Sequence, residues 1–147
     1  MFQHILVATD GSDASNKAID SAVAMAKDSG AQVVALSVVP RYPSTYLDGA
    51  MTYSPEEIAR TERRWVEAAQ SMLEVATARG RAQGVDIRTA TVSSDHVAEA
   101  LIAAAAEHGS ELIVMASHGR KGLGRLLLGS ETQHVLTHSK LPVLVLR

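Results

Sequence analysis

Between Ser117 and Ser130 the chain carries four glycines, Gly119, Gly122, Gly124 and Gly129, interleaved with Arg120, Lys121 and Arg125. Glycines let backbone N–H groups approach an anion, and the three cations add full positive charge. The stretch follows an aliphatic run, ELIVMA, and leads into a short helical pattern that starts at Ser130. Strand, glycine-rich loop and helix N-terminus in that order make a phosphate-type site. The first N–H groups of a helix have no intrahelical acceptor, and they carry its partial positive charge. The stretch is not a common nucleotide fingerprint. Gly-x4-Gly-Lys-Ser/Thr is absent, and Gly122-x-Gly124 is followed by Leu127 where a dinucleotide motif needs Gly or Ala. The same glycines also suit plain structural turns.

A second chemical group ends the first aliphatic run. HILVAT, from His4 to Thr9, stops at Asp10-Gly11-Ser12. Asp10 is a carboxylate at a strand end, where open parallel sheets bind their ligands. Asp-Gly-Ser is equally ordinary turn and cap chemistry. Other constellations are weaker. Met115-x-Ser117-x-Gly119 lacks the leading Gly of a nucleophile elbow, and no acid-then-His order follows it. His134 and His138 have a metal-compatible spacing but no Cys and no clear third ligand, so they read as surface residues. His118 lies in the loop, where it can donate to a phosphate or sit solvated in a turn. Tyr42, Tyr46 and Tyr53 fall in a long irregular stretch, Arg41–Tyr53, which reads either as a lid or as a loop packed down by its tyrosines.

Composition bounds the chemistry further. With 147 residues the chain is expected to be one domain, spanning 1–147. It has no Cys, so disulfides, thiolate zinc sites and thiol nucleophiles are excluded. Aromatic residues make up 3% against 46% apolar, which predicts an aliphatic core and no platform for stacking nucleic-acid bases. Net charge is −2, unevenly placed: Gly119–Arg147 carries +4 and the rest −6. A basic segment on an acidic body fits a small anionic ligand better than a nucleic-acid groove. No apolar run reaches the ~18 residues of a membrane span. The opening MFQHILVATDGS lacks the basic start of a signal peptide, so a cytoplasmic, reduced location is expected.

The elements that must position these groups alternate strictly. Strands are expected at His4–Thr9, Gln32–Val39, Val85–Val92, Glu111–Ala116 and Pro142–Leu146. Val85, Ile87, Thr89 and Thr91 are expected on one face of the third. Four helices separate the strands. The first is capped by Ser12 or Asp13 and stopped by Gly30. The second is opened by Ser54-Pro55-Glu56-Glu57, a capping box with Pro at the first helical position, and runs to near Gly80 or Gly84. Ser94 or Asp95 is expected to cap the third, and Ser130 with Gln133 the fourth. Aliphatic strands alternating with amphipathic helices predict an α/β fold, an open parallel sheet with helices on both faces.

Ala116-x2-Gly119-x9-Gly129-Ser130, set between ELIVM and PVLVL, resembles the Gly-x2-Gly-x9-Gly-Ser/Thr ATP-binding motif of universal stress proteins. HILVATDGS and LSVVP resemble the same family, and the likeness covers the whole chain. It implies a five-stranded sheet of order 3-2-1-4-5, which brings Asp10 beside the Gly119 loop. It also implies roles: Asp10 and Ala116 at the ribose, Val38 and Met115 at the adenine, and Gly119, Gly129, Ser130 and Thr132 at the phosphates. ATP, with Mg2+ as a possible companion, is the implied ligand. A homodimer through Pro142–Leu146 is the implied assembly. Two residues depart from the ideal. Ala116 replaces the first motif Gly and fits only an extended backbone there. Glu131 sits between Ser130 and Thr132 and opposes phosphates unless it points away. The expected function is an ATP-binding, homodimeric stress-response module. The alternatives are a slow ATP hydrolase or phosphotransferase, or a dimerisation module that has lost its ligand.

Overall fold

The computed structural model describes residues 1–42, 53–119 and 128–147. The elements alternate as β1 (His4–Ala8), α1 (Asp13–Ser29), β2 (Gln32–Val39), α2 (Pro55–Ala82), β3 (Ile87–Ser93), α3 (Val97–Glu107), β4 (Leu112–Ala116), α4 (Ser130–His138) and β5 (Val143–Leu146). The strands form one parallel sheet of order β3-β2-β1-β4-β5. This is the expected order, with β1 and β4 side by side where the winding reverses: Ile5 pairs with Leu112, Leu6 with Ile113 and Val7 with Val114.

Both faces of the sheet are covered, which is why its strands read as continuous aliphatic runs. Side chains alternate along each strand. Ile5, Val7, Val33, Ala35, Leu112 and Val114 therefore meet the Ala18, Ile19, Ala22 and Val23 stripe of α1 and Leu73 and Ala76 of α2. Leu6, Leu36, Ile113 and Met115 point the other way, onto Ala98, Leu101, Ala104 and Ala105 of α3 and Val135 of α4. The small alanines let the helices lie close to the sheet. Leu6, Val7, Ala105 and Val114 are fully buried.

Local chemistry sets the helix starts. The Ser12 hydroxyl accepts from the Ser15 N–H at 3.1 Å and caps α1. Ser54 and Glu57 form the expected reciprocal box at α2, at 3.2 and 3.0 Å. Gly30 closes α1 at φ 75°. Gly80 is required for packing: a Cβ there would lie 2.6 Å from the Val85 carbonyl, so the end of α2 can press against the approach to β3.

Three expectations are corrected. His96, not Ser94 or Asp95, occupies the cap position of α3, and it makes no side-chain cap bond. Ser94 instead accepts from the His96 N–H at 3.0 Å, in a local turn, and Asp95 from the Arg41 N–H at 3.1 Å, across to the end of β2, so both oxygens are already engaged. Gly129, not Ser130, is the N-cap of α4, and no side chain among the described residues caps that helix. The Gly129 N–H donates to the Ser117 carbonyl at 2.8 Å, which holds this residue outside the helix, and the Gln133 amide donates to the Leu128 carbonyl rather than closing a box. β3 begins at Ile87 rather than Val85, whose N–H is taken by the Gly80 carbonyl at 2.9 Å; within the strand Ile87 is buried and Thr89 and Thr91 are exposed. No helix among the described residues is long and apolar enough to cross a membrane.

Candidate functional site

Parallel strands β1 and β4 end side by side, and their exits diverge. After β1 the chain turns sharply through Thr9, Asp10 and Gly11, the last at φ 79°. The Asp10 carboxylate accepts from the Ser12 N–H at 2.9 Å, which fixes its side chain at the strand end. Thr9 supports the turn from below: its hydroxyl accepts from the Gly11 N–H at 3.2 Å and contacts the Ser15 hydroxyl at 3.1 Å. After β4 the chain passes directly over this carboxylate. A Cβ at Gly119 would stand 2.9 Å from Asp10 Oδ2, so only glycine admits that approach without displacement.

The return path is held just as firmly. Ser117 donates its N–H to the Leu146 carbonyl at 2.7 Å, extending the β4–β5 pairing by one residue. The Thr132 hydroxyl is buried and donates to the carbonyls of Ala116 and Ser117 at 3.0 and 3.2 Å. The first turn of α4 is thereby bolted to the end of β4. Because that hydroxyl proton is spent on the strand, the backbone N–H is what Thr132 has to offer an anion. The absence of a side-chain cap leaves the first-turn N–H groups of α4 to another acceptor.

These elements enclose a cavity of about 500 Å³. That is within the usual few-hundred-to-1,000 Å³ range of small-ligand sites. One side is apolar: Leu36 and Val38 from β2, Met115 from β4, and Val97 and Leu101 from α3. The other is polar: Asp10, Gly119, Gly129, Ser130, Glu131 and Thr132. All eight residues singled out from the sequence, Asp10, Val38, Met115, Ala116, Gly119, Gly129, Ser130 and Thr132, line this one cavity. Ala116 lies in β4, paired with Leu146, and no described non-glycine residue has positive φ. The methyl of Ala116 therefore sits in extended backbone, the geometry that tolerates it. Glu131 turns its carboxylate to α3, where Oε2 accepts from the Ala98 N–H at 2.9 Å.

The profile of the universal stress protein family matches residues 1–147. This chain belongs to that family. Universal stress protein YxiE of Bacillus subtilis is 35% identical to it, over all of both chains. The crystal structure of a universal stress protein from Burkholderia pseudomallei superposes with a TM-score of 0.73 at 32% identity, covering 97% of this chain and 94% of that one. A universal stress protein solved in complex with cAMP superposes with a TM-score of 0.72 at 28% identity, covering 99% and 97%.

Several cavity residues of this universal stress protein escape a reading of the sequence. Val97 and Leu101 read there as ordinary core positions of the third helix. Their apolar stripe gives no sign that α3 overhangs the sheet end. His118 lines the cavity, with Nδ1 2.9 Å from the Ser117 hydroxyl, and its buried Nε2 has no partner among the described residues. The histidines of α4 stack on each other at 4.2 Å, and no group of three or more metal-ligating side chains gathers among the described residues. Tyr42 packs on Trp65 of α2 at 5.9 Å and edge-on to Tyr53 at 6.2 Å. Tyr46, Arg120, Lys121, Gly122, Gly124 and Arg125 lie outside the described residues.

Proposed function

We propose that the cavity binds an adenine nucleotide, ATP among the forms it admits, and that the chain is one nucleotide-binding domain acting as a cytoplasmic, homodimeric stress-response module. The observation that carries this reading is the division of the cavity. An apolar slot between β2, β4 and α3 adjoins a carboxylate and an uncapped helix N-terminus. The slot suits a flat base, with Val38 and Met115 against the adenine. Asp10 suits the ribose hydroxyls, which donate to a carboxylate, with the Ala116 backbone beside it. Gly119, Gly129, Ser130 and Thr132 suit phosphates through their N–H groups, at the positive end of α4. The relative solved with cAMP supports the adenine class. A Mg2+ ion would arrive with the phosphates, because Asp10 and nearby hydroxyls are the oxygen donors on this side of the cavity.

The dimer reading rests on the sheet edge. β5 is an edge strand, and an uncovered edge needs a partner. Leu136 of α4 and Leu144 of β5 are large exposed apolar side chains close to it. Val143 and Val145 pack partly into the α3–α4 core, so Leu144 is the cleaner probe of the interface. Leu144→Lys is expected to shift the protein from dimer to monomer in sedimentation; a dimer as tight as wild type excludes this interface. α4 carries both the phosphate turn and Leu136, so nucleotide and dimer state are expected to be linked.

The nucleotide reading is tested by denaturing purified protein and identifying the small molecules released by mass spectrometry, with calorimetric titration of the emptied protein. Recovered adenine nucleotide, or heat on adding ATP, is the expected result. An empty protein that gives no heat with ATP contradicts it.

A further inference from the structure

The first turn of α4 combines two opposing charges. Its uncapped N–H groups attract an anion, yet Glu131 places a full negative charge in the same turn and in the wall of the same cavity. A carboxylate in a helix first turn ordinarily settles on that helix's own N-terminus. Here it does not. Oε2 is held by the Ala98 N–H at 2.9 Å, in the first turn of α3. α3 has no cap of its own, since His96 makes no side-chain cap bond, so Glu131 supplies from another helix the acceptor that α3 lacks. That attachment has two consequences. It keeps the carboxylate off the α4 amides, leaving them open. It also holds the charge at the first turn of α3, beside the cavity that Glu131 lines.

We propose that Glu131 is a charge-selectivity residue of this cavity: tied to α3, it weakens binding in proportion to the phosphate charge of the ligand. Nucleosides bind as though it were neutral, monophosphates lose a little, and triphosphates lose most. The inference rests on the nucleotide reading above. The Coulomb term grows with ligand charge and is partly screened because Glu131 is exposed, so the effect is moderate.

The test is calorimetric titration of wild type, E131Q and E131A with adenosine, AMP and ATP, free of divalent cations, at low and high ionic strength. Glutamine keeps an oxygen for the Ala98 N–H while removing the charge. E131Q is expected to bind ATP about fivefold more tightly and AMP about twofold, with adenosine unchanged, and salt should shrink the differences. E131A is expected to show the same grading together with a lower melting temperature, from the lost acceptor at α3. An equal change for all three ligands, or no change, overturns the proposal and leaves Glu131 only the role of a cap. If the wild type binds none of the three, the nucleotide reading fails as well.

Discussion

Two helices start at the same end of the sheet, one after β1 and one after β4, and their N-termini are finished differently. At α1 the chain supplies everything. Ser12 accepts from the Ser15 N–H, Ser15 returns its hydroxyl to the Ser12 carbonyl at 2.9 Å, and Asp10 takes the Ser12 N–H. At α4 the cap residue is Gly129, with no side chain to offer. The surrounding polar groups are turned elsewhere: the Thr132 hydroxyl to β4, the Glu131 carboxylate to α3 and the Gln133 amide to Leu128. The closed terminus adds stability. The open one forgoes that stability, and it adjoins the cavity. Gly119, passing against the Asp10 carboxylate, links the two.

The most damaging way to break this contrast is to close the open end. Gly129→Asp places a capping carboxylate where the phosphates would sit. Its Cβ would stand 3.2 Å from the Ser117 carbonyl, so a small adjustment suffices. ATP affinity measured by calorimetry is expected to fall about 30-fold, roughly 2 kcal/mol, from lost N–H donors and like charge. Adenosine affinity should change far less. A variant that binds ATP normally would show that the α4 terminus is not the phosphate site.

Opening the closed end should do the reverse. Ser12→Ala removes the α1 cap and is expected to cost about 1 kcal/mol of stability in urea unfolding. ATP affinity should hold within about twofold, roughly 0.4 kcal/mol. A large loss of affinity would mean that the first turn of α1 shares the ligand.

The smallest effect belongs to a contact at the opposite end of the sheet. The Glu111 carboxylate accepts from the Gln3 N–H at 2.5 Å and the His4 N–H at 3.3 Å. The Gln3 bond chiefly holds its pKa below the usual value, partly opposed by desolvation and assisted by the bond to His4. A lowered folded-state pKa means stability that is present above the unfolded pKa and lost as pH falls through the folded one. Glu111→Gln should therefore lower the urea midpoint slightly at neutral pH, with the gap to wild type closing in acid below the folded-state pKa. Ligand affinity should not respond. A gap that persists in strong acid would assign the effect to packing rather than charge.

Much of this arrangement is written in local sequence. Ser54-Pro55-Glu56-Glu57 announces α2 because a capping box needs residues only three apart. QVVALSVV marks β2 from Gln32 to Val39 because a strand buried on both faces has little room for polar residues. Asp10 and Gly119 are legible as neighbours at the strand ends from turn chemistry, the glycine-rich loop and the family likeness, and both line the cavity. The cap of α4 is not legible locally because Ser130…Gln133 satisfies the capping pattern, while the Gly129–Ser117 bond that decides the matter spans twelve residues. The destination of Glu131 was hidden for the same reason, since Ala98 lies 33 residues away. Val97 and Leu101 show the limit of periodicity: it identifies an apolar stripe and not where the sheet beneath it ends.

The most direct test of an open α4 terminus is to follow backbone amides by NMR while 15N-labelled protein is titrated with adenosine and then, separately, with ATP. The account predicts that Ser130, Glu131 and Thr132 shift with ATP and scarcely with adenosine, while Asp13, Ala14 and Ser15 show no phosphate-dependent change. Phosphate-dependent shifts at Asp13–Ser15, with Ser130–Thr132 silent, would contradict it.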